Sequence, residues 1–96
     1  MFELRFQDYF FRKYTKLVKN NKSLDGKIER ALQRLASNPK DPSLDCHRVL
    51  SAKFGSLWSC RVTGDLRIIW DYDNEELEVL DIFDIGGHEG ARKVYK

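Results

Sequence analysis

The amino-acid sequence predicts an α+β fold. An N-terminal strand and an antiparallel helix hairpin precede a three- to four-stranded antiparallel sheet, with the helices on one sheet face. Three observations carry this expectation. Phe2, Leu4 and Phe6 alternate with Glu3 and Arg5, the period of a half-buried strand. Apolar residues then recur at helical spacing through two stretches separated by Asn20-Asn21. From residue 40 onward the period is that of extended chain, punctuated by Gly64-Asp65, Asp73-Asn74-Glu75 and Gly86-Gly87.

Each element follows from its own signals. Asp8 is placed to cap the first helix, whose apolar face holds Phe10, Phe11, Tyr14, Leu17 and Val18; Arg12, Lys13, Lys16 and Lys19 fall mainly on its other faces. Ser23 is a candidate cap for the second helix, where Leu24, Ile28, Ala31, Leu32 and Leu35 share a face and Asn38-Pro39 is the stop. So short a connection makes the two an antiparallel hairpin. Asp41-Pro42-Ser43 reads as loop, residues 47–50 as a short strand, and residues 51–56, with Lys53 and Gly55, as a basic turn. Residues 57–63 and 66–72 read as strands joined by the two-residue loop Gly64-Asp65. Residues 77–85 form the last strand, apolar enough for an interior position, and residues 88–96 a short tail.

Alternation puts Trp58, Cys60 and Val62 on one side of the strand over 57–63. Ser59 and Arg61 fall on the other side, expected to be an exposed sheet face. With Thr63 opposite Leu66, Arg61 faces Ile68 while Arg67 lies beside Val62, so the two arginines belong to different sets. Asp81 and Asp84 alternate to opposite faces in the same way.

A chain of 96 residues has room for one domain, residues 1–96, and no repeat, low-complexity tract or Gly/Ser linker marks a boundary within it. Its 12% aromatic content argues against disorder, because that much apolar surface leaves water. No apolar run approaches the ~20 residues of a membrane span, and the opening Met1-Phe2-Glu3-Leu4-Arg5 lacks an apolar signal core, so a cytoplasmic location is expected. Cys46 and Cys60 are too few for a disulfide framework and read as reduced thiols. Cys46, His47, Cys60 and His88 are zinc-ligand types. Cys46 and His47 are adjacent, however, and point apart in an extended chain, so no metal or other cofactor is expected. The net charge of +2 hides a gradient: the balance is +6 over residues 1–40, +1 over 41–70 and −5 over 71–96. A basic front half points either to an anionic partner, nucleic acid or an acidic protein segment, or to a solvated helix face.

Particular strings carry more than composition does. SLWSCRVTGDLRIIW at 56–70, IGGH at 85–88 and KVY at 93–95 resemble the RelE/ParE superfamily of bacterial toxins, and the order of elements fits over essentially the whole chain. IGGH with a nearby Val-Tyr, and HRVL at 47–50, look like the YafQ-type branch of messenger-RNA-cleaving toxins. The resemblance implies a RelE-like fold and a small cytoplasmic toxin that cuts messenger RNA on the ribosome and is restrained by a cognate antitoxin protein. It implies His88 as a catalytic histidine, His47 as a second, and Asp65 as the hairpin acid. Arg61 stands where that branch has a further histidine and where RelE has an arginine. The chain departs from the pattern in having two histidines, and in a gap to Val94-Tyr95 that is two residues longer.

The chemistry such a site needs can be stated independently. Metal-free RNA cleavage uses the ribose 2′-OH against the adjacent phosphorus, and so requires a base, an acid and cations for the transition state. Histidine titrates near working pH, and the arginine fork matches phosphate geometry. His88, Arg61, His47 and Asp65 are therefore the catalytic candidates; Arg48, Lys53, Arg67 and Tyr95 are the candidates for positioning substrate, Tyr95 by stacking on a base. Each has a structural alternative. Arg61 could pair with Asp81 or Asp84, Arg67 with Asp65, and Tyr95 could simply pack the tail. A ParE-like inhibitor that binds DNA gyrase without catalysis, and a protein-binding module, are the competing functional classes.

Overall fold

The computed structural model describes residues 1–87 and Val94; His88 and Tyr95 lie outside the described residues. Strand β1 (Glu3–Phe6) leads directly into helix α1 (Asp8–Val18), and helix α2 (Lys22–Ser37) follows. A 3-10 turn at Pro42–Leu44 precedes β2 (His47–Ser51), β3 (Gly55–Arg61), β4 (Arg67–Tyr72) and β5 (Val79–Gly86). The described residues form one sheet in the order β1-β5-β4-β3-β2. Strands β2 to β5 pair antiparallel, as expected. β1 joins the sheet edge parallel to β5, a pairing that needs a long crossover, here supplied by the chain between them.

The helix boundaries differ from expectation for local reasons. Gln7 occupies the N-cap position of α1 without a side-chain cap bond, and Asp8 is its first helical residue, where a carboxylate suits the positive end of the helix. Asn21, not Ser23, caps α2, accepting a 3.1 Å hydrogen bond from the Leu24 N–H. Asn20 and Asn21 thus divide two tasks: the left-handed Asn20 (φ 60°) follows α1, and its neighbour starts α2. Phe11 does not join the apolar face of α1. It is 52% exposed while Phe10 is buried, because adjacent helical residues diverge by about 100°. Leu77 is also outside its expected strand and fully exposed, since Glu78 takes φ 67° and β5 starts only at Val79.

The helices cover one sheet face. Phe10, Ile28 and Leu35 pack on Cys60, Ile68, Trp70, Ile82 and Ile85, with Trp58 and Val62 at the margin on the side that alternation assigns them. On the opposite face a smaller cluster joins Leu57, Ile69 and Val94 to Phe54 and Phe83. The β4–β5 ladder shifts register between Ile69, opposite Asp84, and Trp70, opposite Ile82, leaving Phe83 as the extra residue of a bulge. The bulge reverses an expectation. Asp84 pairs with Ile69 and Asp81 with Asp71, so by register the two carboxylates share a face.

Both carboxylates are engaged by the basic front half. Arg5 Nε donates to Asp81 Oδ1 at 2.8 Å and also pairs with Asp73; Lys13 Nζ donates to Asp84, 2% exposed, at 2.7 Å. Acidic residues between 73 and 84 therefore meet cations of the first 40 residues, and part of the charge gradient is consumed internally. Among the described residues, no helix is long and apolar enough to cross a membrane.

Candidate functional site

The face not covered by the helices ends in a polar cluster where β2, β3 and β4 terminate. Its geometry depends on the β3–β4 hairpin. Arg61 pairs with Arg67, Cys60 with Ile68 and Trp58 with Trp70. Both the Val62 and the Thr63 N–H bond the Leu66 carbonyl, at 2.9 and 3.2 Å, and Thr63 Oγ1 accepts from the Asp65 and Leu66 N–H groups. The connection is thus longer by one residue than a two-residue Gly64-Asp65 loop. One residue of slip exchanges the faces of a strand. Arg61 and Arg67 accordingly stand side by side on one face, not on different sets.

Arg67 is the centre of the cluster and only 6% exposed. Its Nε donates to Ser59 Oγ at 2.8 Å, and its Nη2 to the Asp45 carbonyl at 2.8 Å and the Ser59 carbonyl at 3.2 Å; Nη1 lies 3.4 Å from Asp45 Oδ2. Arg61 is half-exposed and donates from Nη2 to the same Asp45 oxygen at 2.9 Å. Asp45 therefore bridges the two guanidinium groups, which hold its carboxyl below the usual carboxylate range, the Arg67 hydrogen bond first. Neither arginine takes the partner offered by sequence: Asp81 and Asp84 are engaged by Arg5 and Lys13, and Asp65 is not bonded to Arg67. Ser59, expected on an exposed face, is fully buried beneath Arg67.

His47 completes the group. Its Nδ1 lies 3.2 Å from the Asp45 carbonyl and 3.3 Å from Arg67 Nη2. Arg67 Nη2 has two hydrogens, both directed at the Asp45 and Ser59 carbonyls. Donor counting therefore puts a proton on Nδ1, donated to the Asp45 carbonyl, so that in the uncharged form of the ring the lone pair is on Nε2. An exposed imidazole in this tautomer can accept a proton beside a half-exposed guanidinium.

The remaining candidates are dispersed. Asp65 sits against Gly87, where a Cβ would lie 2.5 Å from Asp65 Oδ2, so the hairpin acid meets the end of β5. Gly86 pairs with Arg67, which brings the chain leading to residue 88 to the same end of the sheet. Arg48 faces the other way from His47, stacks on Trp58 at 5.3 Å and donates to Ser56. Lys53 lies beyond the far end of β2, ~13 Å along the strand from His47 by extended-chain rise, over the Tyr9 ring at 4.4 Å. Asp45 is the residue that sequence reasoning missed. It takes φ 49° after the 3-10 turn, a conformation that Asp tolerates better than most residues, but no linear pattern announces that its carboxylate will meet two arginines from a later hairpin.

No protein-family model and no curated protein matches the sequence. Solved structures do match. A YoeB/ParE toxin from Agrobacterium tumefaciens superposes with a TM-score of 0.70 at 16% identity, covering 91% of this chain and 99% of that one. The E. coli DinJ–YafQ complex gives 0.66 at 18% identity over 92% and 94%, and YafQ from E. coli strain BL21(DE3) gives 0.64 at 17% over 91% and 93%. Near-complete coverage in both directions means that the whole order of elements is shared, not one motif. The chain therefore has the RelE/ParE-type toxin fold, the fold that its hairpin and IGGH motifs resemble.

Proposed function

We propose that the protein is the toxin of a toxin–antitoxin pair and acts as a ribosome-dependent messenger-RNA endoribonuclease. The observation that carries this reading is the Asp45–Arg61–Arg67–His47 cluster, with its net positive charge and an exposed imidazole, at the end of the sheet face left open by the helices. In this reading His47 Nε2 takes the proton of the ribose 2′-OH as the oxygen attacks the adjacent phosphorus. Arg61 turns its remaining N–H groups to the phosphate oxygens and offsets the charge that builds in the transition state. Arg67 touches no substrate; it is the positioning residue that fixes Asp45 and His47. His88, the next residue in the sequence after Gly87, is the acid for the leaving 5′-oxygen, and Asp65, which lies against Gly87, is the hairpin acid of the site. Tyr95 stacks on a base. The mechanism draws on no metal ion.

The partner is a cognate antitoxin, as the DinJ–YafQ complex among the structural neighbours suggests for this fold. The exposed Phe6 and Phe11 offer it apolar surface beside basic residues of α1. The site of action is the cytoplasm, where ribosomes and messenger RNA are found.

Primer extension on a reporter messenger after induction tests the reading directly. Cuts in register with codons, lost in His88→Ala and reduced in His47→Ala, are expected. Growth arrest with uncut messenger and a DNA-damage response assigns the chain instead to the gyrase-inhibiting class.

A further inference from the structure

The sheet places Cys46 and Cys60 together. His47, the first residue of β2, is directly opposite Ser59; continuing that register by one residue sets Cys46 against Cys60, and both belong to the helix-covered core. Opposed Cα atoms in such a ladder are roughly 4.5–5.5 Å apart, within the ~4.4–6.8 Å that a disulfide spans. The two thiols are not equivalent. Cys60 is fully buried, whereas Cys46 is half-buried and lines a cleft of about 400 Å³ with Pro39, Pro42, Trp58, Trp70 and Tyr72. Within that wall the Trp70 Nε1–H is buried and has no hydrogen-bond partner among the described residues; it favours the Cys46 anion. The Cys60 thiol, then the Arg67 charge, hold Cys46 below the usual thiol range; Cys46 and burial push Cys60 above it.

We propose that Cys46 and Cys60 form a reversible dithiol–disulfide couple, in which Cys46 meets a hydroperoxide oxidant through the Trp58–Trp70–Tyr72 cleft and Cys60 resolves it. The Cys46 thiolate attacks one oxygen of hydrogen peroxide, the O–O bond breaks, and the hydroxide that leaves takes a proton to become water. Cys60 sulfur then attacks the Cys46 sulfenic acid and the S–O bond breaks. The departing hydroxyl takes the Cys60 proton as a second water. The two sulfurs together give up two electrons, which reduce both peroxide oxygens, and a dithiol reductant reverses the change. Asp45 and His47 flank Cys46 in sequence, so the closed bond ties the backbone of the arginine cluster to β3.

The test is independent of any nuclease activity. The folded chain is treated with stoichiometric hydrogen peroxide, and its peptides are mapped without reduction. An intramolecular Cys46–Cys60 peptide that dithiothreitol removes is expected. Cys60→Ala should leave a Cys46 sulfenic acid that dimedone traps, and Cys46→Ser should leave Cys60 unmodified for as long as the protein stays folded. Two thiols still free after treatment, crosslinks only between chains, or Cys60 oxidising at the same rate without Cys46 would overturn the proposal. Wild-type mapping decides the matter even where a Cys60 variant fails to fold.

Discussion

Arg67 and Arg61 face the same carboxylate, yet their truncation should have opposite consequences. Arg67→Ala removes two charge-assisted bonds to the buried Ser59, at 2.8 and 3.2 Å, from a side chain that is itself only 7% exposed. At roughly 1.5 kcal/mol each, the low end for bonds to a charged group, the loss is about 3 kcal/mol. For a domain of this size that lowers the melting temperature by roughly 12–24 °C. Arg61 is half-exposed, with a single bond to Asp45 that water screens, so Arg61→Ala should leave the melting temperature nearly unchanged. Its messenger cleavage should instead fall by ~10²–10³-fold, as for the loss of one charge-stabilising donor. Arg67→Lys should recover only part of the lost stability, because an ammonium cannot reproduce the fork that spans Ser59 and Asp45. Thermal unfolding by circular dichroism, with primer extension on the same proteins, separates the two roles. An Arg67→Ala protein melting within roughly 4 °C of wild type, the shift of ~1 kcal/mol, would refute the assignment of Arg67 as the structural pin.

Other expectations follow from individual contacts. The folded-state pKa of Asp45 is depressed, so its contribution to stability is present above the unfolded carboxylate value and is lost as pH falls through the folded one. Asp45→Asn should therefore differ from wild type in neutral urea melts and converge with it in acid; curves that stay parallel would count against the bridge. The Tyr14 hydroxyl donates to Asp25 and its pKa is pushed up to about 12 by that bond and by burial. Its contribution holds below the free tyrosine value and fades as pH rises through about 12, so Tyr14→Phe should flatten the alkaline limb of stability. Cleavage should persist in excess chelator when spermidine keeps ribosomes intact, and loss of cutting restored only by a divalent ion would refute the metal-free route. Gly87→Ala should displace the Asp65 carboxylate, and pairing it with Asp65→Ala should cost less than the two changes added separately, as a double-mutant cycle would show.

Periodicity is a local property, and what it could reach it described well. The strand over Glu3–Phe6 with Phe2 and Leu4 packed on the core, the helical spacing of Ile28, Ala31 and Leu35, and the shared face of Trp58, Cys60 and Val62 all stand in the structure, because burying apolar surface is what selects them, whereas Phe6 at the strand end stays exposed. The strings around Arg61 and Arg67 pointed to the fold that the solved structures share. What failed was parity. A hairpin loop one residue longer than expected brought Arg61 and Arg67 to one face, and a bulge at Phe83 did the same for Asp81 and Asp84. Neither leaves a mark in composition, since one residue of slip costs little locally and is decided by which register fills the core. Asp45 shows the limit most clearly. Its role exists only because a left-handed turn after Leu44 aims its carboxylate at guanidinium groups from a hairpin more than a dozen residues later. Sequence determined which chemistries the chain carries; tertiary structure decided which of them meet, because ion pairs and hydrogen bonds act only over a few ångströms of space and take no account of separation along the chain.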